Sequence, residues 1–156
     1  MQGDGENNFN PGKNIRREEF AKVLTDTFKL QMQGESIEFD DVNADAWYGK
    51  YINILYSNGI TRGIGDGKFG TGTDISRQDL CVMLYKCLQN ITIPEDAETG
   101  FADDENIAEY AKESVYAMQA SGIINGYENG EFLPENNCTR AETAVIICNV
   151  LDLLKQ

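Results

Sequence analysis

Three arginines recur at helix-start positions in this chain: Arg17 in IRREEFAKVL, Arg77 in ISRQDLCVML and Arg140 in CTRAETAVII. They lie 60 and 63 residues apart. Arginine is the wrong charge for the first helical position. The amino end of a helix carries positive partial charge, and an exposed cation there costs about 0.3–1 kcal/mol. A cost repeated three times points to a use. Unsatisfied amides together with a planar guanidinium make a receptor for a carboxylate or a phosphate. The alternative is that each arginine pairs with a nearby acid, such as Asp41 or Asp103, and fixes the packing of adjacent repeats. With 26 acidic residues that is easily met.

The surroundings of the arginines repeat with them, and self-similarity at such a period marks a repeat architecture. Phe9, Phe69 and Phe132 each stand eight residues before their arginine. Phe20, Leu24 and Phe28 correspond to Leu80, Leu84 and Leu88, and then to Thr143, Ile147 and Leu151. Spacing of four places each set on one face of a helix. A second unit precedes the last two arginines: FDDVNADAWYGKYINILYSNGI at 39–60 matches FADDENIAEYAKESVYAMQASGI at 101–123. Trp47 aligns there with Tyr110. Both segments read as amphipathic helices, over about 45–58 and 107–121, closed by Gly59-Ile60 and Gly122-Ile123. Glycine there takes the left-handed conformation and lets the isoleucine pack back on the last turn. The intervening loops, TRGIGDGKFGTGTD and INGYENGEFLPENN, suit tight turns and a very short β-ladder. Segments 30–38 and 89–100 read as linkers.

Helix starts differ among the repeats. Thr139 and Glu142 have the spacing of a capping box, in which each side chain satisfies the other residue's amide. Ser76 and Asp79 are a weaker version. In the first repeat Arg16 stands at the cap position, which predicts a poor cap or a shift to Asn14.

Composition narrows the function. The 156 residues are enough for one domain with a real core. A net charge of −13 argues against nucleic acid, which needs basic surface. With no histidine, hydrolase chemistry on a Ser–His or Cys–His pair is excluded. The four cysteines lack CxxC spacing, so no metal site is expected. Cys138 aligns with Ile75 and Cys87 with Val150, so the cysteines read as buried small hydrophobes, a disulfide remaining open. DVNAD at 41–45 imitates the start of a calcium loop, but Ala46 and Ile52 stand where glycine and a bidentate glutamate are required. No stretch reaches the length of a membrane span. Met1 is followed by QGDGENN and not by a basic then apolar run, so no signal peptide is expected. That leaves a cytoplasmic protein or an excised piece of a larger one.

TRAE at 139–142 before an apolar helix, with GIINGYENGEFLPENN at 122–137 ahead of it, resembles the S-layer homology module. The second repeat, with SRQD for TRAE, is a diverged copy. The first has RREE and lacks its opening helix. The resemblance runs over essentially the whole chain, as a partial repeat at 1–30 and two repeats at 39–88 and 101–154. It implies a mainly α, pseudo-threefold domain of helix–Gly-rich loop–helix units around a central helical bundle. It further implies a non-catalytic role without cofactor. Grooves between the repeats would bind anionic secondary cell-wall polysaccharide carrying pyruvate ketals and anchor a larger secreted protein at the wall or S-layer.

Carried onto this chain, the resemblance puts Arg140, Arg77 and Arg17 on the glycan carboxylate, with Thr139 and Glu142 shaping the helix start. Gly126 and Gly63 would bring backbone close to the ligand. Trp47 either lies under a sugar face or packs in the core, like Tyr110. The alternative role is an assembly module that has lost glycan binding, which the diverged motifs and the cysteines favour. The missing opening helix predicts an exposed apolar groove, or a second chain that completes the bundle.

Overall fold

A computed structural model describes residues 6, 8–88 and 100–155; most of the 89–100 linker therefore lies outside the described residues. The protein is mainly helical: α1 (Arg17–Phe28), α2 (Gly49–Ser57), α3 (Arg77–Cys87), α4 (Glu109–Ala120) and α5 (Arg140–Leu153). The leading helices α2 and α4 start later than their apolar pattern predicts. Ahead of the second expected helix, residues Asp104–Asn106 form a 3-10 turn. The loops hold only isolated bridges, such as Gly65 with Lys68, in place of a β-ladder.

Each of α1, α3 and α5 begins at its repeated arginine. Behind the arginine, Phe20, Ala21 and Leu24 on α1 and Leu80, Cys81 and Leu84 on α3 are fully buried. Helix α2 packs on α1, α4 packs on α3, and α1 touches α3. The leading helices end as their sequence requires. Gly59 and Gly122 have φ of +71° and +66°, and Ile60 and Ile123 donate to the carbonyls of Leu55 and Met118. Both isoleucines are buried.

The residue two positions before each arginine ties the repeats into a closed ring. Ile15 N donates to Cys138 O at 2.9 Å, Cys138 N to Ile75 O at 3.1 Å, and Ile75 N to Ile15 O at 3.1 Å. All three side chains are fully buried, so these amides have no water to turn to. A second set runs the opposite way round. Arg17 N donates to Thr73 O, Arg77 N to Asn136 O and Arg140 N to Lys13 O, at 2.8–2.9 Å. Residues 13–17 and 136–140 thereby join the two ends of the chain.

One helix face stays open. Ala21 and Leu24 of α1, and Cys81 and Leu84 of α3, are wholly buried, whereas the equivalent Ala144 and Ile147 of α5 are only half-buried. With Cys148, Ile15 and Val23 they line a groove of about 720 Å³ between α1 and α5. The expected exposed groove is thus present, apolar along α5 and lined by Glu19, Lys22, Asp26 and Arg140 elsewhere.

Of the cysteines, Cys81 and Cys138 are buried, and burial pushes the Cys138 thiol up to about 12. Cys87 is partly covered, with its thiol also raised by burial to about 12. Cys148 departs from the expectation of burial: it is exposed, because it sits on the uncovered face of α5. All four are free thiols.

Candidate functional site

Each repeated arginine leaves its own helix start and crosses to the next repeat. Arg17 Nε donates to Phe69 O at 3.0 Å, Arg77 Nε to Phe132 O at 2.7 Å, and Arg140 Nε to Phe9 O at 3.0 Å. The guanidinium carbon lies over the same phenylalanine ring, 5.4, 5.1 and 5.1 Å from its centroid. This accounts for the fixed eight-residue spacing: the phenylalanine supplies both a carbonyl and a ring face to the arginine of the preceding repeat.

The same guanidinium then meets the acid three residues into the next repeated helix. Arg17 reaches Asp79 at 2.7 Å, Arg77 reaches Glu142 at 3.5 Å and Arg140 reaches Glu19 at 3.8 Å. The arginines are 5–8% exposed. Their partners are therefore neither Asp41 nor Asp103. Those two carboxylates serve the loops: Asp41 accepts the amides of Phe69, Gly70 and Thr71, all at 2.7 Å, and Asp103 those of Phe132 and Leu133. For Asp41, burial opposes ionisation, but the three amides outweigh it and hold the pKa below the ordinary value. The calcium-like DVNAD start is thus part of a loop clamp. Among the described residues no cluster of acids and cysteines is arranged to hold a metal.

The capping acids do two jobs. Thr139 Oγ1 accepts the Glu142 amide while Glu142 accepts the Thr139 amide, a complete capping box. Glu142 also accepts from the Tyr127 hydroxyl at 2.6 Å. Burial raises its pKa, but the bonds from Tyr127 and Thr139 prevail and leave it lowered. In the first repeat Glu19 accepts the Arg16 amide at 2.9 Å, so the cap stays at Arg16 and does not move to Asn14. Arginine has no acceptor, so only half of that box exists.

Two of the arginines open on cavities. Arg17 lines one of about 370 Å³ with Asp79, Met83, Lys86, Tyr110, Arg62 and Gly63. Arg140 lines the 720 Å³ groove with Glu19, Val23, Asp26, Trp47 and Phe9. The two are repeats of each other: Asp79, Met83, Lys86 and Tyr110 align with Glu19, Val23, Asp26 and Trp47. The aligned aromatics are both exposed, at 53% for Trp47 and 63% for Tyr110. Neither belongs to the core; each stands at the rim of an arginine groove. Arg77, as buried as Arg17, is flanked by two rings. Its guanidinium carbon lies 4.7 Å from the Tyr127 ring centroid and 5.1 Å from that of Phe132.

The loop glycines have a packing reason. A Cβ on Gly63 would fall 2.2 Å from Lys68 O and 2.8 Å from the Phe39 ring. On Gly126 it would fall 2.8 Å from the Phe101 ring and 2.9 Å from Glu131 O. Gly63 also lines the Arg17 cavity. The sequence reading missed Arg62 and Lys86. The only signal for them is that neither is repeated at its aligned positions, and a search for repeats passes over such residues.

The S-layer homology domain family matches residues 1–21, 38–81 and 100–144. The chain belongs to the S-layer homology domain family. Its relatives include an amylopullulanase of Thermoanaerobacterium thermosulfurigenes, 31% identical over 97% of this chain, and a surface-layer 125 kDa protein of Lysinibacillus sphaericus, 32% identical over 97%. A cellulosome-anchoring protein of Acetivibrio thermocellus is 28% identical over 92%. This S-layer homology chain spans 8%, 13% and 33% of the length of those three proteins. No helix among its described residues is long and apolar enough to cross a membrane.

Proposed function

We propose that this S-layer homology chain is a non-catalytic module that anchors a larger secreted protein at the bacterial cell wall or S-layer. It does so by holding acidic wall polysaccharide in the grooves between its repeats, at boundaries 1–30, 39–88 and 101–154. The observation that carries the reading is the pair of cavities, each lined by a repeated arginine and by an exposed aromatic, Tyr110 at the start of α4 beside Arg17 and Trp47 just ahead of α2 beside Arg140. An arginine beside a flat aromatic suits a sugar with a small carboxylate such as a pyruvate ketal, the guanidinium facing the acid and the ring facing the sugar. The relatives support the same role, since they include a surface-layer protein and a cellulosome-anchoring protein. Three relatives carry enzyme names, amylopullulanase, exoglucanase and endoglucanase, yet the matched stretch is only 8%, 14% and 16% of their length.

Co-sedimentation with purified wall polysaccharide tests the reading. Binding should drop after mild acid hydrolysis of the ketals, and should weaken with salt because charge carries part of it. Sedimentation unchanged by ketal removal, and by Arg17→Ala and Arg140→Ala alike, would reject it.

The open face of α5 favours a second reading, an assembly module. Val145 and Leu151 are exposed beside Cys148, in a position that α2 and α4 cover on α1 and α3. Under that reading a helix from a second chain fills the groove. Sedimentation velocity on the glycan-free protein should then show a concentration-dependent larger species, and a monomer at every concentration would discard it.

A further inference from the structure

The repeats are not equivalent receptors. The cavity at Arg17 is lined by three cations, Arg17, Arg62 and Lys86, and one acid, Asp79. The aligned cavity at Arg140 is lined, among the described residues, by two cations, Arg140 and Lys22, and two acids, Glu19 and Asp26. There Lys22 is bound to Asp26. The difference comes from single positions. Lys86 aligns with Asp26 in the first repeat and with Asn149 in the third, and Arg62 aligns with Asn125.

Neither Arg62 nor Lys86 makes an ion pair with a described residue. Arg62 rests on the Tyr56 ring, 5.6 Å from its centroid. Arg17 keeps a hydrogen-bonding edge in reserve: Nε holds Phe69 O and Nη1 holds Asp79, while Nη2 has no partner among the described residues. At Arg77 the guanidinium lies against two rings, Tyr127 and Phe132, and Nη2 faces Asn125 O.

We infer that the groove between the first and second repeats, at Arg17, is the seat of the carboxylate, and that Arg62 and Lys86 determine its preference for an acidic sugar. The inference rests on the glycan-anchoring reading above. It reverses the ranking given by motif quality, which places Arg140 of the intact TRAE first. On a chain of net charge −13, an anion is held only where cations outnumber acids locally. Tyr110 closes the same groove. Burial and its bond to Asp79 push its hydroxyl up to about 12, so it stays a neutral donor that holds Asp79 beside the arginine. A cavity of about 370 Å³ is at the small end for a ligand site and suits one sugar residue rather than a length of polymer.

The test uses two probes of one shape. Methyl 4,6-O-(1-carboxyethylidene)-glucopyranoside carries the ketal acid; the 4,6-O-isopropylidene glucoside is its neutral counterpart. Each is titrated into the 15N-labelled chain and followed by amide shifts. The acidic sugar should move the amides of residues 61–70 and 77–79 first, and the neutral sugar should bind at least tenfold more weakly. Lys86→Asp, which installs the residue of the first repeat, should weaken the acidic sugar tenfold or more. Lys86→Gln and Arg62→Gln should each weaken it several-fold, with thermal unfolding unchanged. Asp26→Lys should add a second set of shifts around Arg140. If the acidic sugar moves the amides near Arg140 or Arg77 first, or binds Lys86→Asp as tightly as the parent, the inference is overturned and the anchoring reading stands. Absence of binding by both sugars and by wall polysaccharide overturns the anchoring reading, and this inference with it.

Discussion

At Arg17 the guanidinium meets its acid at 2.7 Å, in a groove rimmed by two further cations that pair with no acid among the described residues. At Arg140 the aligned pair is 3.8 Å apart, in a groove rimmed by a lysine and an aspartate that neutralise each other. Deeper in, the two grooves converge: Nε on a phenylalanine carbonyl, the guanidinium over that ring, the backbone amide on a carbonyl of the next repeat. The repeated residue makes the architecture, and the unrepeated residues around it make the difference between sites. A motif search scores the first kind, and a ligand meets the second.

The largest expected effect separates those two roles. Arg17→Ala removes a nearly buried cation, a bond to a buried carbonyl, and the partner of Asp79. Stability should fall by about 2–4 kcal/mol in urea unfolding, toward the cost of breaking a buried pair but reduced because Asp79 is part-exposed. Arg62→Ala touches no hydrogen bond of the ring and should stay within about 0.5 kcal/mol of the parent. If both substitutions are neutral, the ring is not what holds the repeats together. If Arg62→Ala is as damaging as Arg17→Ala, rim and interior are not separable.

The sequence disclosed the repeat, the helix starts, the glycine ends and the arginine–phenylalanine register, because each is set by residues close in the chain. It disclosed the capping box at Thr139 for the same reason. It misplaced the arginines' partners. Asp41 and Asp103 looked available, but a loop with several amides turned inward claims a carboxylate more strongly than one guanidinium does. The true partners were visible as the capping acids Asp79, Glu142 and Glu19. Their second role appears only when the repeats close into a ring, since Arg140 and Glu19 lie far apart in the chain. The exposure of Trp47 and Tyr110 was also hidden, because an aromatic in an amphipathic helix reads as core until the groove beside it is seen.

Acid unfolding sharpens the comparison between loop clamp and ion pair. Asp41 and Glu142 both have pKa values below the ordinary 3.8 and 4.5, so the folded state favours their charged forms. Their stabilisation is fully present above about pH 5 and is lost as pH falls through the lowered values. Asp41→Asn should flatten that acid limb and cost stability at pH 7, because an amide cannot accept three backbone donors as a carboxylate does. An acid limb as steep in Asp41→Asn as in the parent would remove the loop clamp from the account.

Helix caps should give the next smaller effects. Thr139→Ala deletes one half of a complete box and should cost about 1 kcal/mol; Ser76→Ala deletes a single bond to the Asp79 amide and should cost the same or less. Equal losses well above that range would mean that the hydroxyls also shape the grooves.

The smallest effect has the opposite sign. Arg16 occupies a cap position with no acceptor to offer, and its side chain is exposed, while Glu19 already accepts its amide. Serine there would supply the missing acceptor for the Glu19 amide and complete the box that the third repeat has. Arg16→Ser should therefore stabilise the protein by about 0.5–1 kcal/mol in urea unfolding, within the range of a good cap. The substitution leaves the backbone bridge from residue 16 to Asp74 untouched and adds no charge to the Arg140 groove. Sugar binding at Arg17 should stay as in the parent. A gain in stability with unchanged binding would place the divergence of the first repeat in its cap, separate from recognition. A loss of stability would mean that the Arg16 side chain carries a contact that outweighs a cap.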